Sequence, residues 1–430
     1  MYSEFENHRL LIISNNVLSM TRSNGKVIMS YFDCLPKEMV RQLYFSSELP
    51  SIQGYKYYQI SDRDIIKGVI NKSARGRAIV SVDENNYKLY KQNPSNIKTP
   101  FFRILRECLW SCKRWLSPQL LQWLDDFNPT DVFFVGGDSI FAYNICNYIS
   151  KRYDARLAVY LTDDYILHRE TDDVIASIRR KMVKKALSAC LKRADAFFTI
   201  SKQMQETYKN IFGKDSYLVT NMSDPLRDES IHEESGVINL LYAGSLYYGR
   251  AEMLGLLARE LAIYNSTSKM KAKLKIFTNI APSEEEMGII SVSDTSGYCG
   301  RLTKEELIIE MNRSHILCIV ESFDEKQIES TRLSLSTKVS EYMSVGKPIL
   351  AIGPAEIGTI SYLSDIAVCI TRKDDIGSQT KPLLQSPKLR EEYGNRAFIK
   401  YCKYHVKETI QTPFIKKVFG DNRDLDEERQ

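Results

Sequence analysis

The chain has 430 residues, 43% of them hydrophobic and 26% charged, and a net charge of +5. That length exceeds one ordinary core and fits two domains of about 200 residues each. The composition is that of a soluble globular protein rather than a disordered or fibrous one, and no apolar run approaches the roughly 20 residues a spanning helix needs. No secretory signal is expected, since the first apolar run, Leu10 to Ile13, is far too short. Nine scattered cysteines without zinc-site spacing fit a reducing cytoplasm. Only Cys108 and Cys112 are close, and their i, i+4 spacing in an apolar helix suggests packing. Residues 1–232 carry 33 Lys/Arg against 26 Asp/Glu, and 233–430 carry 26 against 28. The first half, at +7, is the one that should face something acidic.

In chain order, Arg9 to Ser14 reads as a first buried strand. Ser23-Asn24-Gly25-Lys26 follows as a small-residue loop before a helix from Val27, where backbone could approach a ligand or simply turn. Val40 to Phe45 and Tyr55 to Ile60 are further strands, Asp64 to Val69 a short helix, and 71–98 a polar surface excursion. Phe101 to Leu124 is apolar and helical, interrupted at Ser117-Pro118, with Arg103, Arg106, Lys113 and Arg114 among its aromatics. Its second part suits a core, while 101–115 suits either packing or a membrane interface. Asp131 to Val135 is a clear strand, followed by Gly136-Gly137-Asp138-Ser139 and a helix from Ile140, the strand–glycine–helix unit of doubly wound folds. Arg156 to Leu161 is the next strand. Asp163 and Asp164 lie at its C-terminal end and His168 four residues later. They are candidates for the acceptor side, one carboxylate serving as base if the chemistry inverts, with a capped helix start as the plain alternative. Ile175 to Arg193 is a helix with seven basic residues, a solvated face or one docked on anionic lipid. No nucleic-acid reading motif is present.

Ala196 to Lys202 leads from a strand into the helix Gln203–Phe212, Tyr217 to Pro225 ends the domain, and Arg227 to Gly236 reads as a linker. Val237 to Leu246 is the first strand and glycine loop of a second α/β domain, with Arg250 opening a helix. Leu274 to Thr278 and His315 to Val320 are strands, and Ser296 to Arg301 a loop. Ser336 to Pro354 reads as a helix, a stop and a buried strand. Ser336 or Thr337 caps the helix, Gly346 takes the left-handed position, and Pro348 prevents the helix from resuming. Ile366 to Ile370 and a helix from Pro387 complete the domain. Backbone N–H groups at the start of the Ser336 helix, with Lys338 beside them, attract an anion. Glu341, one turn on, can accept from sugar hydroxyls, so the pair fits a nucleotide or nucleotide sugar or else forms a solvated helical pair.

Glu341-Tyr-Met-Ser-Val-Gly-Lys-Pro348 with its apolar strand resembles the nucleotide-sugar site of GT-B glycosyltransferases of family four (group 1). The Ser336-x-Lys338-x-x-Glu341 form resembles bacterial capsule and exopolysaccharide transferases. The likeness covers 196–224, 238–250 and 315–354 in the expected order. It departs from the family at Leu333, where a second Glu usually stands, with Glu321 and Glu329 nearby but out of register. The resemblance implies an α/β, GT-B fold of two Rossmann-like doubly wound domains facing a cleft. The acceptor-binding domain would span 1–232 and the nucleotide-sugar domain 233–396. Residues 397–430 would supply a last helix, Ala397 to Phe419, crossing back to the first domain, and a frayed tail. Glu341 would bind the ribose and Lys338 the diphosphate. Gly244, Ser245 and Arg250 would complete the phosphate cradle with Ser336 and Thr337, and Gly300 and Arg301 would lie by the base. Asn24, Gly25, Gly137 and Asp138 would lie on the acceptor side.

The function expected is transfer of a sugar from a nucleoside diphosphate sugar, UDP-linked, to an acceptor hydroxyl, without a metal or other cofactor and with retention. The acceptor expected is a lipid-linked surface polysaccharide intermediate at the inner face of the cell membrane, to which the protein binds peripherally. A nucleotide-sugar epimerase on the same fold, or a non-catalytic nucleotide-sugar-binding partner in a glycosylation complex, are the alternatives.

Overall fold

The structure is a computed structural model, and it describes residues 5–20, 23–70, 76–79, 100–231 and 236–421. The chain divides into two units, Met1–Val219 with Glu408–Gln430, and Thr220–Lys407. In the first, the strands are β1 (Leu10–Ser14), β2 (Val40–Tyr44), β3 (Lys56–Gln59), β4 (Arg77–Ile79), β5 (Asp131–Gly136), β6 (Arg156–Leu161), β7 (Ala196–Thr199) and β8 (Tyr217–Leu218). They form one sheet in the order β4-β3-β2-β1-β5-β6-β7-β8. Every pairing is parallel except β3 with β4. Leu10 to Ile13 and Val132 to Phe134 are fully buried, as uninterrupted apolar runs must be when helices cover both faces.

The second unit contains β9 (Val237–Ala243), β10 (Lys271–Phe277), β11 (Ser296–Gly300), β12 (Ile316–Val320), β13 (Ile349–Ile352) and β14 (Val368–Ile370). Their order is β11-β10-β9-β12-β13-β14, all parallel. The helix Arg250–Thr267 buries Met253, Leu254, Leu257 and Leu261 against the strand side chains Leu240, Leu274, Ile276 and Cys318. Each sheet reverses its strand order once, between β1 and β5 and between β9 and β12. Beyond the carboxyl ends of such strand pairs ligands bind in doubly wound folds.

Several local expectations change. Asn24 and Gly25 lie in the first turn of the helix Ser23–Phe32 rather than in a loop. A Cβ on Gly25 would stand 2.3 Å from the Val17 carbonyl oxygen, so the small residue serves packing of the preceding segment. Ser296 to Gly300 is an edge strand. Asp163 and Asp164 cap no helix, since the next one starts at Val174 and is capped by Asp173. Cys108 and Cys112 are exposed: the helix Pro100–Ser111 turns Glu107 and Trp110 inward and ends before Cys112. The last helix is two helices, Pro387–Tyr404 and Lys407–Phe419. The latter belongs to the first unit, with the Phe414 ring 4.7 Å from Tyr31 and 5.1 Å from Phe198. The expected frayed tail and most of the 71–98 excursion lie outside the described residues.

Candidate functional site

The loops that follow β9 and β12 meet the start of the helix Lys338–Val345 at the strand reversal of the second unit. Gly249, at φ +71°, ends the β9 loop in the left-handed region, where a Cβ would stand 2.6 Å from Ser322 Oγ; glycine is needed there twice over. Tyr248 before it is also left-handed, at φ +62°. The turn aims Arg250, first residue of its helix, across to the end of β12. Its Nη2 donates to both oxygens of Glu321, at 3.0 and 2.9 Å, its Nε to the Val320 carbonyl at 3.2 Å, and its Nη1 to Ser245 Oγ at 3.2 Å. Glu321 is buried, so each charge requires the other.

Lys338 stands on the other side of this pair. A Cβ on Gly244 would meet its Nζ at 2.6 Å and its Cε at 2.7 Å, so the ammonium lies directly against the β9 loop. Among the described residues it makes no hydrogen bond or ion pair. Loss of hydration, with Arg250 nearby, lowers its pKa to about 8, while Glu321 and Glu341 act in the opposite direction. Its helix is unfilled at the front: Thr337, at the N-cap, makes no side-chain capping bond. The expectation that Ser336 or Thr337 caps it therefore fails, and Ser336 instead gives its N–H to Thr359 Oγ1 at 2.9 Å. Gly346 does take the left-handed C-terminal position, at φ +72°. The Val339 N–H is spent on the Ser336 carbonyl at 3.1 Å, but the helix dipole and the Lys338 ammonium share this end, a combination that favours an anion. Glu341 lies one turn further along.

Of the residues the sequence singles out here, Gly244, Ser245, Arg250, Ser336, Thr337, Lys338 and Glu341 come together. The N–H of Gly244 is spent on the Phe277 carbonyl, at 2.9 Å. Gly300 and exposed Arg301 sit at the end of the edge strand β11, two strands from β9. Glu321 is the residue the sequence reading placed out of register. Its signal is an acid directly after an apolar strand beside the reversal point. Tyr342 is another, its hydroxyl accepting from the Ala243 N–H at 3.1 Å.

In the first unit the corresponding place is filled. The Glu107 carboxylate reaches the start of the helix Ile140–Arg152 and accepts from the N–H of Ile140 and of Phe141, both at 2.9 Å. Burial raises its pKa. Asp138 is gripped by Arg103, 2.6 Å from Oδ2, and by Arg179, 3.2 Å from the same oxygen; Gly137 beside it accepts from the Tyr143 hydroxyl through its carbonyl. Asp164 is buried, and its Oδ1 takes the N–H groups of Ile166 and Leu167 and the Tyr208 hydroxyl. Asp163 is the more accessible of the two and accepts from the Asp164 N–H. His168 is exposed and faces Asp172, at 3.8 Å, and Ser177; no hydrogen bond joins it to either aspartate among the described residues. The sequence signal for Glu107 is a lone acid within an apolar helix, which demands a partner when buried.

Solved structures share this architecture over nearly the whole chain. The trehalose-phosphate synthase (UDP-forming) of Burkholderia xenovorans aligns at a TM-score of 0.60 and 12% identity, over 95% of this chain and 100% of that one. The sucrose-phosphate synthase of Thermosynechococcus elongatus aligns at 0.63 and 8%, over 96% and 100%. Anabaena HepE, in complex with UDP and glucose, aligns at 0.60 and 10%, over 96% and 100%. The fold is GT-B. No protein-family model matches the chain, and no curated protein matches it in sequence.

Proposed function

We propose that this protein is a glycosyltransferase that moves a sugar from a nucleoside diphosphate sugar, UDP-linked, to an acceptor hydroxyl. The observation that carries the reading is the unpaired Lys338 ammonium at an uncapped helix N-terminus on the reversal point of a GT-B second unit. There it would neutralise the charge that develops on the leaving diphosphate, worth several kcal/mol when such a donor is already in place. Glu341 would hold the ribose, and the exposed end of β11 at Gly300 and Arg301 would lie by the base. Two of the similar structures name UDP in what they are or hold.

Retention is the stereochemistry we propose. Asp164 is buried, with Oδ1 held in its own turn and Oδ2 without a hydrogen-bond partner among the described residues, and His168 is exposed beside Asp172; the acceptor of the hydroxyl proton that we propose is the diphosphate itself. Should the enzyme invert, Asp163 is the carboxylate to test. For the acceptor we propose a lipid-linked intermediate at an anionic membrane surface. The helices Pro100–Ser111 and Val174–Arg193 pack together, and Leu105, Val174, Ile175, Ile178 and Met182 are exposed on them. Lys181, Lys184, Lys185 and Lys192 are exposed on the second helix as well, whereas Arg179 and Arg180 turn to Asp138 and Asp172. An apolar strip flanked by lysines is the chemistry of an interfacial helix. No described helix is long and apolar enough to cross a membrane.

A thermal-shift panel of nucleotides and nucleotide sugars tests the donor site. A ligand at 100 times its dissociation constant adds about 2.7 kcal/mol of stability. Stabilisation by uridine nucleotides, lost in Lys338→Ala and Glu341→Ala, is the expected outcome; a folded protein indifferent to every nucleotide would sink the reading. Transfer of label from the matching sugar to extracted membrane lipid then separates a transferase from an epimerase or a non-catalytic partner. Buried Leu333, where the family has an acid, is what favours the non-catalytic reading.

A further inference from the structure

The carboxyl ends of the second sheet carry the candidate donor site; its amino ends border a cavity of about 670 Å³. Val237, which opens β9, and His315, just before β12, both line it. From there β9 runs seven residues to the loop at Gly244, roughly 20 Å of extended chain. The cavity is therefore separate from the donor site, and its volume is that of a small-molecule site rather than of a single ion.

Its charged lining has one sign. Lys269, His315 and Arg390 line it, and among the described residues no carboxylate does. The fold holds two of the three in place. Nδ1 of buried His315 accepts the Asn239 N–H at 3.1 Å, while the His315 N–H donates to the Asn239 carbonyl at 2.9 Å. A neutral ring that accepts at Nδ1 carries its proton on Nε2, so its second nitrogen is a donor. Arg390 Nη1 donates to the carbonyls of Leu383 and Leu384, at 2.8 and 3.1 Å, in the last turn of the helix Ile376–Gln385. Those carbonyls orient the guanidinium but bring no formal charge. Lys269 is exposed, on the turn into β10. The helix Pro387–Tyr404 also begins here, and its positive end adds to the three.

The remaining lining is mixed: Tyr264, Met270 and Leu384 offer apolar surface, and Ser268 and Gln385 a hydroxyl and an amide. A neighbouring cavity of about 430 Å³ shares Arg390 but sets Asp228, Glu229 and Glu391 against Arg227 and Lys347. That one selects no net charge, whereas the acid-free cavity selects an anion. We propose that the larger cavity is a second ligand site, for a small organic phosphate. Lys269, His315 and Arg390 take the phosphate through charge-assisted bonds, and an uncharged body of sugar or nucleoside size lies against Tyr264, Met270 and Leu384. The proposal goes beyond the donor-site reading and does not rest on it.

The experiment is calorimetric titration of the whole protein with glucose 6-phosphate and adenosine 5′-monophosphate, beside glucose, adenosine and inorganic phosphate. One of the two organic phosphates should bind, and both its unphosphorylated parent and inorganic phosphate should bind about tenfold more weakly or worse. Lys269→Gln changes an exposed residue and should weaken that binding by about tenfold, while Lys338→Ala should leave it unchanged. On protein labelled with nitrogen-15 in its five histidines, the ligand should move one ring signal, the one missing from His315→Gln. No binding by either organic phosphate overturns the proposal, as does a parent or inorganic phosphate that binds equally well. Unchanged affinity in Lys269→Gln, loss in Lys338→Ala, or movement of a different ring overturns it too. If His315→Gln fails to fold, the Lys269→Gln and Lys338→Ala affinities still decide. None of these outcomes depends on whether UDP binds, so the donor site stands or falls separately.

Discussion

The helices Ile140–Arg152 and Lys338–Val345 hold the same place in their two sheets. Each leads from the first strand beyond the reversal point to the next strand out, β5 to β6 and β12 to β13. Each therefore presents a positive helix end where doubly wound folds receive anions. In the first unit Glu107 is already there, taking two backbone N–H groups. In the second the N-cap residue Thr337 makes no side-chain capping bond, and Lys338 beside it makes no hydrogen bond or ion pair among the described residues. The same topology thus gives one helix end filled by the chain's own carboxylate and one whose N-cap residue makes no side-chain bond. Fold alone does not make a phosphate site; what decides is whether the chain supplies its own anion.

The strongest way to break that comparison is to give the second unit an acid of its own. Lys338→Glu exchanges the free cation for an anion at the open helix end and should weaken UDP binding by roughly 100-fold or more, since both a charge-assisted bond and its sign are lost. Calorimetry would read it, and affinity within tenfold of wild type would mean that the anion binds elsewhere. The converse change opens the first unit. Glu107→Ala strands two buried N–H groups and should cost about 2–4 kcal/mol in denaturant unfolding. Inorganic phosphate should then stabilise the variant more than it stabilises wild type, because the vacated helix end becomes a site. Equal phosphate effects on both proteins would count against the closed-site reading.

A smaller effect is expected where backbone meets the lysine. Gly244→Ala puts a methyl group 2.6 Å from Lys338 Nζ. The far end of a flexible side chain can move aside, so stability should change little, while nucleotide affinity should fall by about tenfold as the ammonium leaves its position. A variant that loses stability without losing affinity would show that Gly244 serves the fold alone.

How far the sequence anticipates this molecule depends on the range of the interaction. Leu10–Ser14, Asp131–Val135 and Pro348–Ile352 announce buried strands because a strand covered on both faces has no polar alternation to hide. Gly346 and Pro348 mark a helix stop through local backbone preference, and Lys338 and Glu341 share a face through helical spacing. What the sequence does not disclose is pairing across distance. Nothing local says that Glu321 meets Arg250, 71 positions away, or that Glu107 reaches Ile140. Asp163, Asp164 and His168 look like a cluster in sequence, yet their side chains go separate ways: Asp164 is buried with Oδ1 held by its own turn, and His168 is exposed beside Asp172. Asn24 and Gly25 read as a loop since small polar residues suit loops, but they form the first turn of the helix Ser23–Phe32, where Gly25 leaves room for the Val17 carbonyl.

The subtlest test uses the ligand-free protein, and it reads the comparison through protons. Burial penalises the charged form of Glu107 and of Lys338 alike, but the two groups carry opposite signs. For Glu107 the folded pKa is raised. Between the ordinary carboxyl value and the raised one the folded chain binds more protons than the unfolded one, so stability falls as pH rises through that window. For Lys338 the folded pKa is lowered from 10.5 to about 8. Between those values the unfolded chain binds more protons, and stability rises with pH. The Lys338 slope should be worth roughly 1 kcal/mol once solvent screening is allowed for. Glu107→Gln should flatten the acidic limb and leave the alkaline one, and Lys338→Met should do the reverse. If one substitution altered both limbs, or neither did, the two buried groups could not titrate as the separate and opposite pair that their burial makes them.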